Sequence, residues 1–142
     1  MGARRPKTEL YCHFVWATWD RQPLITAEFE HRLHGATEAK LRELQCSEIT
    51  IGGVSDHVHL ACRFPPTLAI AELVKQVKGA SSHCMTHSVG VPGFQWQGGY
   101  GAFTFARRSL PRVSAYVASQ KAHHANSTFA PDLEETEEFD DG

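Results

Sequence analysis

Two histidines one residue apart, His57-Val58-His59, and a tyrosine and glutamine four apart, Tyr116 and Gln120, are the residues whose types and spacing could do chemistry in this chain. In a strand, successive side chains point to opposite faces. His57 and His59 therefore project the same way, roughly 6.5 Å apart, while Val58 points into the core. That spacing lets two imidazoles reach one divalent cation. On a helix, residues four apart are surface neighbours, so a metal-binding Gln120 would hold the Tyr116 hydroxyl within reach of whatever the cation polarises. Each residue also has a plainer reading. A surface strand carries two histidines by chance, Tyr116 fits a half-buried core position beside Val113 and Val117, and Gln120 alone fits a solvated helix face. Read together, Tyr116, Gln120 and His124 form a polar line at helical spacing, with His123 and His124 as further phosphate-contact candidates.

These side chains need a strand and a helix to carry them, and the pattern supplies both. Residues 10 to 19 are aromatic and β-branched enough for a buried strand, closed by Asp20-Arg21-Gln22-Pro23. Thr26 is positioned to cap a helix in which Phe29, Leu33, Ala36, Leu41 and Leu44 recur to about Gln45. Glu48 to Val54 and His57 to Phe64 read as an antiparallel pair joined by the Ser55-Asp56 turn. Pro65-Pro66 ends the second of these strands. Thr67 then caps a second helix, with Leu73, Val74, Val77 and Ala80 as its apolar stripe, running towards His87. A glycine-rich link over 90–101 leads into a short strand from Tyr100 to Ala106, and Pro111 suits the first turn of a last helix reaching about Asn126. The order βαββαβα predicts an α+β sandwich of ferredoxin-like or RRM-like form: a mostly antiparallel sheet with its two long helices packed on one face.

Composition bounds the function classes. At 142 residues the chain is sized for one domain, read as 1–131 followed by an acidic tail over 132–142. The tail holds 7 of the 16 acidic residues and no basic one, a composition that cannot form a packed core. Residues 1–131 then carry all 14 Lys and Arg against 9 acids, a net charge of +5 that suits a phosphate backbone as partner. Lys75 and Lys78 on the second helix and Arg107, Arg108, Arg112 and Lys121 around the last one are the candidate DNA contacts. Trp96, Tyr100 and Phe103 are aromatic residues that could stack on bases, with core or dimer packing the plainer reading of Trp96 and Phe103. Four scattered cysteines without a C-x-x-C pair point to free thiols in a reducing compartment. No run of eighteen apolar residues occurs, so the expectation is a cytoplasmic protein without a membrane partner. The chain has neither a P-loop nor a G-x-G-x-x-G fingerprint.

Several blocks together carry a resemblance. Tyr11-Cys12-His13-Phe14-Val15-Trp16-Ala17-Thr18 with Arg21 and Pro23, Ser55-Asp56-His57-Val58-His59-Leu60, Leu73 to Ser82, Gln97 to Phe103, and Tyr116-Val117-Ala118-Ser119-Gln120 with His123-His124 follow one another in order. The chain resembles the single-tyrosine HUH transposases, the group of insertion-sequence transposases and REP-associated tyrosine transposases. The resemblance implies an enzyme that cleaves and rejoins single-stranded DNA at hairpin-marked ends. It implies His57, His59 and Gln120 as ligands of Mg²⁺ or Mn²⁺ and Tyr116 as the nucleophile that forms a 5′-phosphotyrosine. It also implies a homodimer whose sheets pair edge to edge. Two alternatives stand beside this one: a domesticated REP-type single-strand endonuclease, and a catalytically inactive DNA-binding module.

Elementary chemistry agrees with that implication. A phosphodiester repels nucleophiles, and a dication held by two imidazoles and an amide keeps its full charge for the phosphate oxygens. A phenol ionises only near pH 10 unless a cation or base assists it.

Overall fold

The computed structural model describes residues 6–122. The acidic tail, His123, His124 and the expected helix end at Asn126 lie outside the described residues. Strands β1 (Tyr11–Ala17), β2 (Ser47–Val54), β3 (His57–Arg63) and β4 (Gly101–Phe105) form one antiparallel sheet in the order β2-β3-β1-β4. Helices α1 (Glu30–Glu43), α2 (Ile70–His83) and α3 (Leu110–Ala118) complete the βαββαβα order expected from the sequence. The α+β class and the sheet with its two long helices on one face are as anticipated.

Strand alternation sorts the core into two layers. On one face Cys12, Phe14 and Trp16 of β1 and Val58, Leu60 and Cys62 of β3 meet Leu33 and Leu41 of α1 and Leu73, Val74 and Val77 of α2. Burying each large apolar side chain there contributes about 1.5–3 kcal/mol before entropy is counted. The intervening residues point the other way, and Ala61 packs with Val113 and Val117 of α3 and with Phe105 of β4. The short α3 therefore covers the face opposite α1 and α2.

Element edges differ from the sequence pattern in ways the contacts explain. The carbonyl of Thr26 accepts the N–H groups of Phe29 and Glu30, so a turn starts there while regular helix begins at Glu30. Thr67 lies in a turn in which the Leu68 N–H reaches the Pro65 carbonyl, and α2 begins only at Ile70. The chain continues past α2 as a wider π-helical turn, Cys84–Val89, which stops at Gly90 with φ 82°. Pro111 sits in the first turn of α3 as expected, but the helix breaks at Ser119 before residues 120–122 become helical again.

One glycine sets the height of α3. A Cβ at Gly52 would stand 1.8 Å from the Val117 carbonyl oxygen, so only a residue without a side chain lets the helix backbone lie on β2. Gly52→Ala is expected to lower stability by about 3 kcal/mol and to displace α3. In the exposed, open surroundings of Gly35 in α1, the same change should raise stability by about 0.5–1 kcal/mol. Urea denaturation of the two variants measures the contrast.

Candidate functional site

Two adjoining strands and α3 build the site. His57 and His59 open β3, and both rings project onto the face that α3 covers, as period-two alternation requires. Their ring centroids are 5.1 Å apart. The close approach at Gly52, the register partner of His59 on β2, brings α3 down onto this spot. The Tyr116 ring consequently meets the His59 ring edge-on, with centroids 6.0 Å apart. Val113, Tyr116, Val117 and Gln120 share one helical stripe. Tyr116 and Gln120 thus lie on the same sheet-facing side as the apolar residues, and not on a separate polar line as the spacing suggested.

Gln120 stands just beyond the break at Ser119, where its Nε2 donates to the Tyr116 carbonyl at 3.0 Å. That bond satisfies a carbonyl at the helix end and orients the amide. With Nε2 committed to the backbone, Oε1 is the end suited to a cation. The site is enclosed: His59 is 0% exposed, Gln120 1%, His57 3% and Tyr116 7%.

Each histidine is held through its Nδ1. Asp56 Oδ1 lies 2.8 Å from His57 Nδ1, and His13 Nε2 lies 2.8 Å from His59 Nδ1. A carboxylate behind a histidine fixes the ring's tautomer, and where such a histidine binds a metal it does so through Nε2. Among the described residues no three His, Cys, Asp or Glu side chains cluster as a metal site by themselves. A cation at His57 and His59 would therefore take a carboxamide or water as its remaining ligands. Two imidazoles and the Gln120 carboxamide are neutral donors suited to a divalent ion, and they fit that requirement.

Asp56 and His13 are the residues that sequence reasoning left without a role. Asp56 reads in the sequence as part of a turn and of the block that carries the resemblance, and neither assigns it a partner. His13 gave one signal, a polar ring in an otherwise apolar strand, but its partner depends on how β1 and β3 align.

The candidate DNA contacts fall on two faces. Arg107, Arg108, Arg112 and Lys121 surround α3 on the site face, all exposed. Arg107 lies 3.4 Å from Glu9, and Lys121 lies 2.5 Å from Glu30. Lys75 and Lys78 belong to α2 on the opposite face, away from His57 and His59. Lys78 Nζ donates to the carbonyls of Gln97 at 2.9 Å and Gly99 at 2.7 Å, so it ties the 90–100 link to α2. Of the aromatic candidates, Trp96 is core: it packs edge-on against Trp16 and Phe94 and donates Nε1 to Ser81 Oγ. Tyr100 packs beside that cluster, and Phe103 lies 6.3 Å from His13.

All four cysteines are free thiols, and Cys12, Cys46 and Cys62 are buried. Burial pushes the Cys12 thiol up to about 12, which leaves it unreactive. No helix among the described residues is long and apolar enough to cross a membrane.

Residues 6–120 match the family model for IS200-like transposases. The ISDra2 transposase TnpA of Deinococcus radiodurans is 27% identical over 120 residues, which cover 79% of this chain and 84% of that protein. Two solved structures share the fold. One is a transposase from Deinococcus radiodurans R1, with TM-score 0.66 and 22% identity over 82% of this chain and 95% of that one. The other is a REP-associated tyrosine transposase bound to a REP hairpin, with TM-score 0.62 and 16% identity over 87% of this chain and 74% of that one.

The Lys78 anchor has a pH signature. Burial lowers its pKa from 10.5 to about 8. Between those values the unfolded chain binds the extra proton, so the ionisation of Lys78 favours the folded state more as pH rises through that window. Lys78→Met should be less stable than the parent protein, and the gap should widen between about pH 7.5 and about pH 10. Urea melts at the two pH values check this.

Proposed function

The chain belongs to the IS200-like transposase family, and on that premise we propose that it nicks and rejoins single-stranded DNA at hairpin-marked ends through a tyrosine-linked intermediate. The observation that carries the proposal is the Tyr116 ring seated against His59, with His57 beside it, all within one chain. A bound Mg²⁺ or Mn²⁺ at His57, His59 and Gln120 would withdraw charge from the scissile phosphate and favour an ionised phenol.

The chain's own groups do the rest. Tyr116 Oη attacks phosphorus, the bond from phosphorus to the 3′ oxygen breaks, and the departing oxygen takes up a proton as a 3′-hydroxyl. The phenol gives up its proton in the same step. The product is a 5′-phosphotyrosine, which conserves the ester, so a second 3′-hydroxyl reverses the reaction without a nucleotide cofactor. Gln120 fixes the backbone turn after Tyr116, and the α3 stripe excludes water from the rings. Because the phenol is enclosed, a DNA phosphate enters only as α3 gives way, a gating step of the kind that loops and short helices provide. Arg107, Arg108 and Arg112 are positioned to meet the backbone as it arrives. The open sheet, with β2 and β4 at its edges, supports pairing with a second copy.

The hairpin-bound relative favours a second reading, a REP-type endonuclease that cleaves such repeats without moving an element. Both readings share the covalent step.

The test uses the purified protein, Mn²⁺ or Mg²⁺, and labelled single strands carrying the imperfect palindromes that flank its own gene. A covalent adduct that survives denaturation is expected, with the nucleotide on the Tyr116 peptide by mass spectrometry. Tyr116→Phe should reduce it by at least about a thousandfold. Labelling that persists in the variant, or hairpin binding without cleavage that survives both chelation and His57→Ala, contradicts the proposal.

A further inference from the structure

The two histidines of the site are supported in chemically different ways. Asp56, a carboxylate, stands behind His57. Behind His59 stands a second imidazole, His13, which is itself 0% exposed. The two rings lie nearly parallel, 15° apart with centroids at 5.0 Å, and are joined by the 2.8 Å contact between His13 Nε2 and His59 Nδ1. The register makes this possible: His13 pairs with Ala61, two residues beyond His59 and on the same sheet face, so the two side chains meet on the diagonal. From the other side β4 contributes Phe103, the second register partner of His13.

We propose that His13 is a positioning residue for the reaction, accepting the Nδ1 proton of His59 and thereby fixing the tautomer that presents His59 Nε2 to the metal. The inference rests on the metal site of the preceding proposal. If His59 offers Nε2 as a ligand, its Nδ1 must carry the hydrogen, and the group facing that hydrogen must accept it. His13 accepts through Nε2, which makes His13 the Nδ1-protonated neutral tautomer. A neutral acceptor has a consequence that a carboxylate would not. It orients the ligand without adding negative charge, so more of the cation's charge acts on the substrate phosphate. The second carboxylate that symmetry with Asp56 would suggest is thus replaced by a ring that also stacks on His59 and lies near Phe103 of β4.

The experiment compares His13→Phe, which keeps a stacked ring and removes the acceptor, with His13→Gln, whose carboxamide oxygen restores an acceptor near the same place. Mn²⁺ binding is followed by electron paramagnetic resonance titration, independently of DNA cleavage, and folding is checked by thermal melts. Binding by His13→Phe should weaken by about 10–100-fold, the range typical of lost outer-shell partners, while His13→Gln should stay within about threefold of the parent protein. Equal affinity in His13→Phe and the parent protein overturns the inference and leaves the metal site standing. So does an equal loss in both variants. Failure of the parent protein itself to bind Mn²⁺ overturns the metal site instead. In that event, and if His13→Phe does not fold, long-range proton–nitrogen correlation spectra of the parent protein decide the matter. An Nδ1–H tautomer at His59 supports the assignment, and an Nε2–H tautomer overturns it.

Discussion

The contact between the α3 backbone and the bare backbone of β2 at Gly52 is the constraint on which the site depends. A single methyl group there would strike the Val117 carbonyl. With no side chain at Gly52, the helix lies low enough for Tyr116 to touch His59, whose register partner is Gly52 itself. Packing and chemistry are therefore one arrangement. Val113 and Val117 hold the helix against Ala61 and Phe105, and the same stripe delivers Tyr116 and Gln120 to the strand that carries the histidines. A helix that rides low on a sheet for packing alone would carry apolar residues along the whole stripe, whereas this one turns polar where it meets the imidazoles.

The proposed metal site would combine neutral ligands with unequal supports. Two imidazoles and a carboxamide add no charge of their own, and the carboxylate of Asp56, which is partly exposed, acts through His57 Nδ1. His13 lies 2.8 Å from Nδ1 of the other ring, where the proposed assignment makes it a support without negative charge. Such a site suits a phosphodiester, where the barrier to attack is the substrate's own negative charge. The cations follow a similar division. Arginines surround α3 on the face of the site, while Lys78 is used internally to fasten the link after α2.

Much of this was legible in the sequence, because it depends on local periodicity. H-x-H in a strand puts both rings on one side whatever the strand pairs with, and the βαββαβα order follows from the apolar patterns and turn residues. The family blocks pointed to an IS200-like relative, and the match over residues 6–120 bears that out. What the sequence hid depends on registration between distant segments. His13 gains its partner only because β1 and β3 align with Ala61 opposite it. The placement of α3 against α1 and α2, and hence the separation of Lys75 and Lys78 from the arginines, is decided by which face each helix crosses to. Trp96 allowed both base stacking and core packing, and its contacts with Trp16 of β1 and Ser81 of α2 decide for the core. The late starts of α1 and α2 reflect turns whose carbonyls begin the hydrogen bonding before regular helix is established.

The most direct test of the central claim, that one cation and one phenol meet at His57, His59, Gln120 and Tyr116, is a crystal of the protein soaked in manganese and measured at the manganese absorption edge. The account predicts a single strong anomalous peak within coordination distance of Nε2 of both histidines and Oε1 of the glutamine, with the Tyr116 hydroxyl turned towards it. A crystal without that peak, in which the hydroxyl faces away from the histidines, would contradict it.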